Sequence, residues 1–392
     1  MSLKTGMAKA TTVILRIVYA PMKLRPLRKK VTIISRQSNK PSLDVAGLAG
    51  YLSSSHEDVQ VAVLCRNLER SNKLIYALHL LRQMWHISNS AAVVLDGYCI
   101  PASVLDHRRA TKFIQMWHAL AAVKKFGYQT LDRPGGRSSE IARIMRMHKN
   151  YDAVVCPGER TGHFFCQAFN TDESKLAYYG LPRIDHILRG DAKAEEIRRT
   201  CSLPEDKEIL LYVPTFRKGE PVPLEELARA IPGDRFCLVV RLHPLYGEYT
   251  GGGSAGDGAP EGDGPDGARE DETPLRIIVD REYTSYDWLH VADRVITDYS
   301  ALGVEASLLD KPLYFYVYDI DAYENNVGLN LDPRKELPGA SAETAEKLAG
   351  LLTEDYDLDA LRQFRQRYIT VDTDNCTEKL GEYIYGIAEK IH

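Results

Sequence analysis

Three observations on this 392-residue chain predict an α/β fold with mostly parallel sheets, built twice. Short apolar, β-branched runs alternate with segments of helical period, which is the pattern of βαβ units. A polar, charged stretch over Asp191–Thr200 interrupts the alternation, and a second series then begins. The length also exceeds what one ordinary core holds, so about two domains are expected.

In chain order, Val31–Ser35 and Val59–Cys65 read as buried strands. Asn72–Trp85 has helical spacing, with Leu74, Leu78 and Leu81 among its apolar positions. Ala91–Leu95, Lys112–Trp117 and Ala153–Cys156 are further short strands, and Leu176–Gly180 ends at Leu181-Pro182-Arg183. The second series runs through Ile209–Val213, Leu224–Ala230, Phe236–Leu242, Ile277–Val279 and Tyr286–Val291. It closes on Arg294–Tyr318, a strand–helix–strand unit with its helix expected over Ala301–Leu309. The expected divisions are 1–30, 31–190, 205–375 and 376–392, the last a helix able to cross back onto the first half. The Gly-, Asp- and Glu-rich Thr250–Asp271 lacks the apolar surface to offset its ordering entropy and reads as a disordered insertion.

The hydrophobic fraction of 44% and charged fraction of 27% are those of a soluble globular protein, and the net charge of −4 argues against a general nucleic-acid binder. Seven cysteines without a CxxC pair, most in apolar runs, read as reduced buried thiols. No apolar stretch is long enough to span a bilayer. The N-terminus joins an apolar run (Val13–Tyr19) to Lys23, Arg25, Arg28, Lys29 and Lys30. This is either a basic amphipathic segment drawn to anionic lipid or a helix packed on the body with a solvated basic tail.

Four constellations fall at predicted strand ends, where open α/β sheets bind ligands. In Gln115-Met116-Trp117-His118, followed by Lys124-Lys125-Phe126-Gly127, the histidine suits proton removal from a hydroxyl and the lysines suit an anionic substrate. The bland alternative is a structural histidine beside solvated lysines. Tyr212–Gly219 gathers Thr215, Arg217 and Lys218 after a strand, and an arginine's planar fork matches a phosphate. In Val240-Arg241-Leu242-His243-Pro244, period-two alternation puts Arg241 and His243 on one side of a strand. Thr297-Asp298-Tyr299-Ser300 opens the helix of the last unit, where Asp298 or Ser300 caps it and its N-terminus favours an anion.

Taken in order, QMWH…KKFG, YGLPRID, YVPTFRKG, RLHP and TDYSALGVEASLLDKPLYFYVYDIDAYENNVGL resemble the CDP-glycerol glycerophosphotransferase family, which builds teichoic-acid-like polymers. The resemblance covers about Val31–Leu331 and extends to the basic N-terminal lead-in. It implies a GT-B architecture, with two Rossmann-like domains facing across a cleft: an acceptor domain over 31–190 and a donor domain over 205–375. On motif matching, His118 corresponds to the proposed general base and His243 to a second essential histidine near the donor pyrophosphate. Thr215, Arg217, Ser300, Asp298 and Tyr299 fall on donor-phosphate stretches, joined by Arg241 from the strand pattern. Lys124, Lys125 and Arg183 are acceptor-side candidates. Two departures stand out: Ala119 replaces the family's usual glycine after the histidine, and the usual paired serines are reduced to Ser300-Ala301.

The expected reaction moves glycerol phosphate or ribitol phosphate from CDP-glycerol or CDP-ribitol to a hydroxyl of a lipid-linked saccharide or polyol-phosphate acceptor, with CMP released. No obligatory metal is expected, and loosely bound Mg²⁺ stays open. The expected location is the cytoplasmic face of the membrane, held peripherally to an anionic surface, with no nucleic-acid partner. The rival readings are a GT-B nucleotide-sugar glycosyltransferase or epimerase, and a non-catalytic scaffold subunit.

Overall fold

The computed structural model of the chain describes residues 3–67, 72–190, 193–217, 221–242 and 273–391. Both His243 and the insertion expected over Thr250–Asp271 lie outside the described residues. Two compact units are formed, one from Met1–Asp185, Asn326–Gly328 and Tyr368–His392, the other from His186–Asn325 and Leu329–Arg367.

The first unit alternates helix and strand from its start: α1 (Leu3–Met22), β1 (Arg28–Ser35), α2 (Leu43–Ser55), β2 (Gln60–Cys65), α3 (Lys73–Ile87) and β3 (Ser90–Leu95). It continues through α4 (Ile100–Val104), β4 (Lys112–Gln115), α5 (Ser139–Ile144), β5 (Ala153–Cys156), α6 (Glu159–Phe169), β6 (Leu176–Tyr178) and the first half of α7 (Pro182–Arg189). The six strands pair in the order β2-β1-β3-β4-β5-β6, and every pairing is parallel. β3 is buried at every residue, which explains its unbroken apolar run: a parallel strand covered on both faces has no polar side to show. The strand order reverses direction between β1 and β3, and a ligand crevice forms at the carboxyl ends flanking such a reversal.

Helix α1 packs one face on the body of the first unit. Leu15 and Tyr19 join the unit's core, Thr5 donates to Glu140 of α5 (3.0 Å), and the Tyr19 hydroxyl meets His107 Nδ1 (2.9 Å). The opposite face leaves Met7, Ile14 and Ile17 in solvent. Helix α3 has a similar division. It buries His79, Leu80, Gln83, Met84 and Ile87, while Leu74, Leu78, Leu81 and Trp85 form one outward stripe.

At the C-terminus, the helix Cys376–Ala388 packs on α2. Asp185 of α7 accepts from the N–H groups of Cys376 and Thr377 (both 2.8 Å), satisfying orphan donors of that helix's first turn. Gly381 lets the helix approach Tyr51 closely, since a Cβ there would sit 2.3 Å from the ring.

The second unit holds β7 (Glu208–Val213), β8 (Phe236–Arg241), β9 (Arg276–Asp280), β10 (Arg294–Thr297), β11 (Leu313–Tyr316) and β12 (Ser341–Ala342). They pair in parallel in the order β12-β11-β10-β7-β8-β9, so the direction reverses between β7 and β10. The helix expected over Ala301–Leu309 is a five-residue α-turn, Leu302–Ala306, followed by a 3₁₀ turn, Ser307–Leu309. It is too short to build the dipole expected of it. Likewise the strand expected over Lys112–Trp117 ends at Gln115, because Trp117 turns into the left-handed region (φ 61°). All seven cysteines are free thiols; Cys65 and Cys201 are half-buried rather than buried.

Replacing Asp185 with Ala is expected to destabilise the first unit by about 1–2 kcal/mol, the usual cost of a lost cap. Amide hydrogen exchange at the start of the helix Cys376–Ala388 should rise several-fold before that of β3. Equal protection in the variant and the parent would show that the cap does not hold this helix.

Candidate active site

In the first unit, the end of β4 is folded back over the reversal point by its own side chains. Gln115 donates to the Gly97 carbonyl (3.2 Å) and accepts from the Trp117 N–H (2.9 Å). That second bond holds a bulky residue at positive φ, a conformation costing on the order of 1–3 kcal/mol. Ring packing compensates: Trp117 stacks on Phe126 (4.5 Å between centroids) and meets Phe169 edge-on (5.3 Å).

The turn delivers His118 to the ends of β1 and β3. Its Nδ1 lies 2.9 Å from the backbone carbonyl of Asp96. A carbonyl can only accept, so Nδ1 carries the proton and Nε2 keeps its lone pair. The Gln37 Nε2 lies 3.2 Å from the same nitrogen, and a protonated Nδ1 requires that amide to turn so that its oxygen faces the ring. Burial pushes the His118 pKa down to about 4; the Asp96 carbonyl opposes this, and the Arg183 charge adds to it.

Arg183 explains how the loop is held. Its Nε donates to Asp44 (2.8 Å), its backbone N–H donates to the same carboxylate (2.9 Å), and Nη2 reaches both Asp44 and the His118 carbonyl, the latter at 2.9 Å. Both side chains are buried. Arg183 therefore positions the histidine loop from beneath. Lys124 and Lys125 follow the buried run Leu120–Val123 and are half-buried; the Lys125 N–H donates to the Gly328 carbonyl (2.9 Å). Asp96 and Asp44 carry no sequence signal of their own. The Asp96 carboxylate is 1% exposed, and neither the Ser35 hydroxyl nor the Arg36 N–H beside it closes a full hydrogen bond to it. Burial raises its pKa to about 6, with Ser35 and the Arg36 N–H pulling the other way.

In the second unit, five of the expected donor-side residues lie at the ends of β7 and β10. The Asp298 carboxylate accepts from the N–H and hydroxyl of Thr215 (3.0 and 2.7 Å), from Arg217 Nη1 (2.8 Å) and from the Tyr299 N–H (2.6 Å). Arg217 also grips Asp319 through Nε (2.6 Å) and Nη2 (2.9 Å), and the Tyr299 hydroxyl donates to Asp319 (2.9 Å). The rings of Tyr318, Tyr299 and Tyr323 surround the guanidinium at 4.9, 5.4 and 5.6 Å. Burial works against the Arg217 charge, but the Asp319 hydrogen bonds and the Asp298 charge outweigh it and hold the pKa above its ordinary value. Burial and the Asp319 charge also raise the Tyr299 pKa.

Thr215, Arg217, Asp298 and Tyr299 thus form a closed framework under the surface. Ser300 is half-buried at its edge, with Oγ accepting from the Leu302 N–H (3.3 Å). Arg241, at the end of β8, donates to the Asp280 carbonyl (3.2 Å) and stays half-buried; burial lowers its pKa, and the Asp280 charge opposes that. Among the described residues, no group of three His, Cys, Asp or Glu gathers in a way that could hold a metal ion.

Two doubly wound parallel sheets, each with polar side chains collected at its reversal point, define an α/β protein of GT-B fold. The chain belongs to the CDP-glycerol:poly(glycerophosphate) glycerophosphotransferase family, whose sequence profile matches residues 18–386. It is 27% identical over 370 residues to the teichoic acid ribitol-phosphate primase of Bacillus spizizenii, covering 91% of this chain and 90% of that one. It is also 27% identical over 321 residues to the teichoic acid glycerol-phosphate primase of Bacillus subtilis, covering 79% of this chain and 77% of that one. Among solved structures, the wall teichoic acid polymerase TagF soaked with CDPG aligns with a TM-score of 0.71 at 19% identity, covering 99% of this chain and 97% of that one. The UDP-GlcNAc 2-epimerase of Neisseria meningitidis shares the fold more distantly, with a TM-score of 0.56 at 12% identity over 91% of this chain and 99% of that one.

The His118 assignment gives a pH prediction. Its folded pKa lies below the ordinary histidine value, so this group's contribution to stability is present above about 6.5 and lost as pH falls toward about 4. Asp96 runs the other way: its contribution is present below about 3.9 and lost as pH rises through about 6. An NMR titration of the His118 ring should show a midpoint near 4. A midpoint at or above the free-histidine value would contradict the enclosed neutral ring.

Proposed function

We propose that this enzyme transfers an alditol phosphate, glycerol phosphate or ribitol phosphate, from its CDP ester to a hydroxyl of a teichoic-acid-type acceptor. The acceptor oxygen attacks the distal phosphorus, a phosphodiester forms, and CMP leaves. The observation that carries the reading is the fixed tautomer of His118, whose Nε2 lone pair is held at the reversal point of the first sheet. A ring that stays neutral throughout the working pH range is always competent to accept the hydroxyl proton. As a weak base, it does so late, as the attacking oxygen loses electron density to phosphorus. The Asp96 carbonyl then stabilises the imidazolium that forms.

On the donor side, Ser300 and Arg241 would meet charge spreading onto the phosphate oxygens, while Arg217 and Asp298 hold the loops that present them. His243, matched to the family's second histidine, is assigned to the donor pyrophosphate in the same proposal. Lys124 and Lys125 remain acceptor-side groups. No resident metal is assigned, and Mg²⁺ accompanying the nucleotide is compatible with the reaction. His118→Ala and His243→Ala are each expected to reduce CMP release by about 10²–10⁴-fold with the melting temperature unchanged, the range for lost acid–base or oxyanion groups. Undiminished CMP release in either folded variant would remove that residue from the mechanism.

The reading includes attachment to an anionic lipid surface, where a lipid-linked saccharide acceptor would be met on the cytoplasmic side. No helix among the described residues is long and apolar enough to cross a membrane. The surface of α1 and α3 supports peripheral binding instead. Ile17 is 67% exposed, Leu74 68% and Trp85 50%, and the Arg25 guanidinium lies 3.6 Å from the Trp85 ring. Aromatic and aliphatic side chains next to arginine and lysine are the composition of an interfacial helix pair. Because Leu15 and Tyr19 belong to the core, deleting α1 would damage the fold, so the surface is tested by substitution. The double variant Leu78→Glu, Trp85→Glu is expected to weaken binding to vesicles rich in anionic lipid by at least about tenfold, given roughly 0.8 kcal/mol per buried CH₂. Unchanged co-sedimentation would reject this surface.

A further inference from the structure

Beside His118, on the far side of Trp117, the first unit contains a cavity of about 300 Å³. Its lining includes the rings of Tyr98, Trp117, Phe126 and His148, together with Lys125 and Arg137. The Arg137 guanidinium lies 5.4 Å from the Tyr98 ring centre and that of Arg36 lies 5.9 Å from it, so two cations flank one aromatic wall. A third arrives at Gly328, whose φ of +86° places its open side toward the cavity's neighbours. A Cβ there would be 2.5 Å from Arg133 Nη1 and 2.9 Å from Lys125 Cδ.

The three arginines, Arg36, Arg133 and Arg137, have no carboxylate partner among the described residues, whereas Arg146 nearby in sequence pairs with Asp106 at 2.6 Å. Arg36 donates to the Tyr98 carbonyl (2.8 Å), and its buried Nε has no hydrogen-bond partner. Their field reaches inward: after burial itself, the Arg137 and Arg36 charges are what lower the pKa of His148, which stays neutral against Tyr151 (2.8 Å). Like charges gathered on an aromatic-walled cavity, without carboxylates, repel one another until an anion joins them. Arginine in particular supplies the donor fork that a phosphodiester accepts.

Position narrows the anion's identity. The Trp117 ring forms one wall, and its centroid is 4.2 Å from that of His118, so the cavity and the base stand one aromatic ring apart. We propose that the cavity binds the phosphodiester of an alditol phosphate already present at the acceptor end, leaving that unit's free hydroxyl at His118. This rests on the proposed function for the reaction at His118, while the binding itself does not depend on turnover. The enzyme would then prefer acceptors already carrying an alditol phosphate to acceptors ending in a bare saccharide.

The test uses the full chain and a synthetic tri(glycerol phosphate), with glycerol, inorganic phosphate and a lipid-linked saccharide lacking alditol phosphate as the other ligands. Calorimetry should show the trimer binding more tightly than the other three, with affinity falling as salt rises. The double variant Arg133→Ala, Arg137→Glu should weaken trimer binding at least about tenfold and raise KM for a trimer-ended acceptor by a similar factor, with KM for the CDP-alditol unmoved. Arg137 is exposed, Arg133 is half-buried, and neither forms an ion pair among the described residues, so the variant should melt with the parent. Failure of the trimer to bind the parent, or equal binding by parent and variant, would overturn the cavity's assignment. Tighter binding of inorganic phosphate or of the bare lipid-linked saccharide would overturn it too. Salt-sensitive trimer binding lost in the variant, without CMP release from any CDP-alditol, would support the cavity and count against the reaction proposed above.

Discussion

The buried Asp44–Arg183 pair fixes where His118 stands. Two charges removed from water cost several kcal/mol each, and only good geometry with extra hydrogen bonds offsets that. Here the carboxylate accepts both a side-chain and a backbone N–H of Arg183, and a further guanidinium N–H reaches the His118 carbonyl. The pair therefore joins the first turn of α2, the start of α7 and the loop after β4 at a single point. Losing either partner would strand the other charge in the interior, a penalty of about 3–5 kcal/mol. Such an arrangement is poor value as pure stabilisation. It makes sense as a device that gives the loop one position.

The second unit repeats the solution with different residues. Arg217 lies between Asp298 and Asp319, and Asp298 also takes two donors from Thr215. The β7 and β10 ends are thereby clamped where the sheet reverses, as α2, α7 and the loop after β4 are clamped in the first. In a doubly wound sheet the loops on either side of the reversal depart in opposite directions and leave an opening that the sheet itself cannot fill. Buried arginine–carboxylate networks give those loops shape without closing the opening. Residues that a sequence motif would assign to substrate can thus act one layer beneath it, and Arg217 is the clearest instance.

The sheets were legible because parallel strands buried on both faces leave continuous apolar runs, as in Ala91–Leu95 and Ile209–Val213. What periodicity could not supply was the direction in which an apolar stripe points. Leu74, Leu78, Leu81 and Trp85 have the spacing of a core face, yet that face is outside and His79 and Gln83 are inside. The site histidine was visible from its place after a strand, but Asp44 was not. It lies 139 residues from Arg183 and, within a helix's first turn, looks like any dipole-favouring acid. Asp96 contributes through its backbone carbonyl, an atom every residue has, so no residue type could have announced it. The short helix after Ser300 reflects a local balance between α and 3₁₀ turns that the apolar pattern leaves undecided.

The replacement of the family's glycine by Ala119 can be judged on this geometry. A glycine after the histidine would be required if the chain had to enter positive φ there. The residue that does so is Trp117, and Ala119 is not among the residues at positive φ. The methyl group therefore brings no backbone strain, and its effect is confined to the space beside the His118 ring. The loop keeps its shape through Gln115, Arg183 and the Trp117–Phe126 stack, all of which act upstream of or beneath residue 119. A change at 119 would alter which acceptor fits against the histidine while leaving the histidine itself in place.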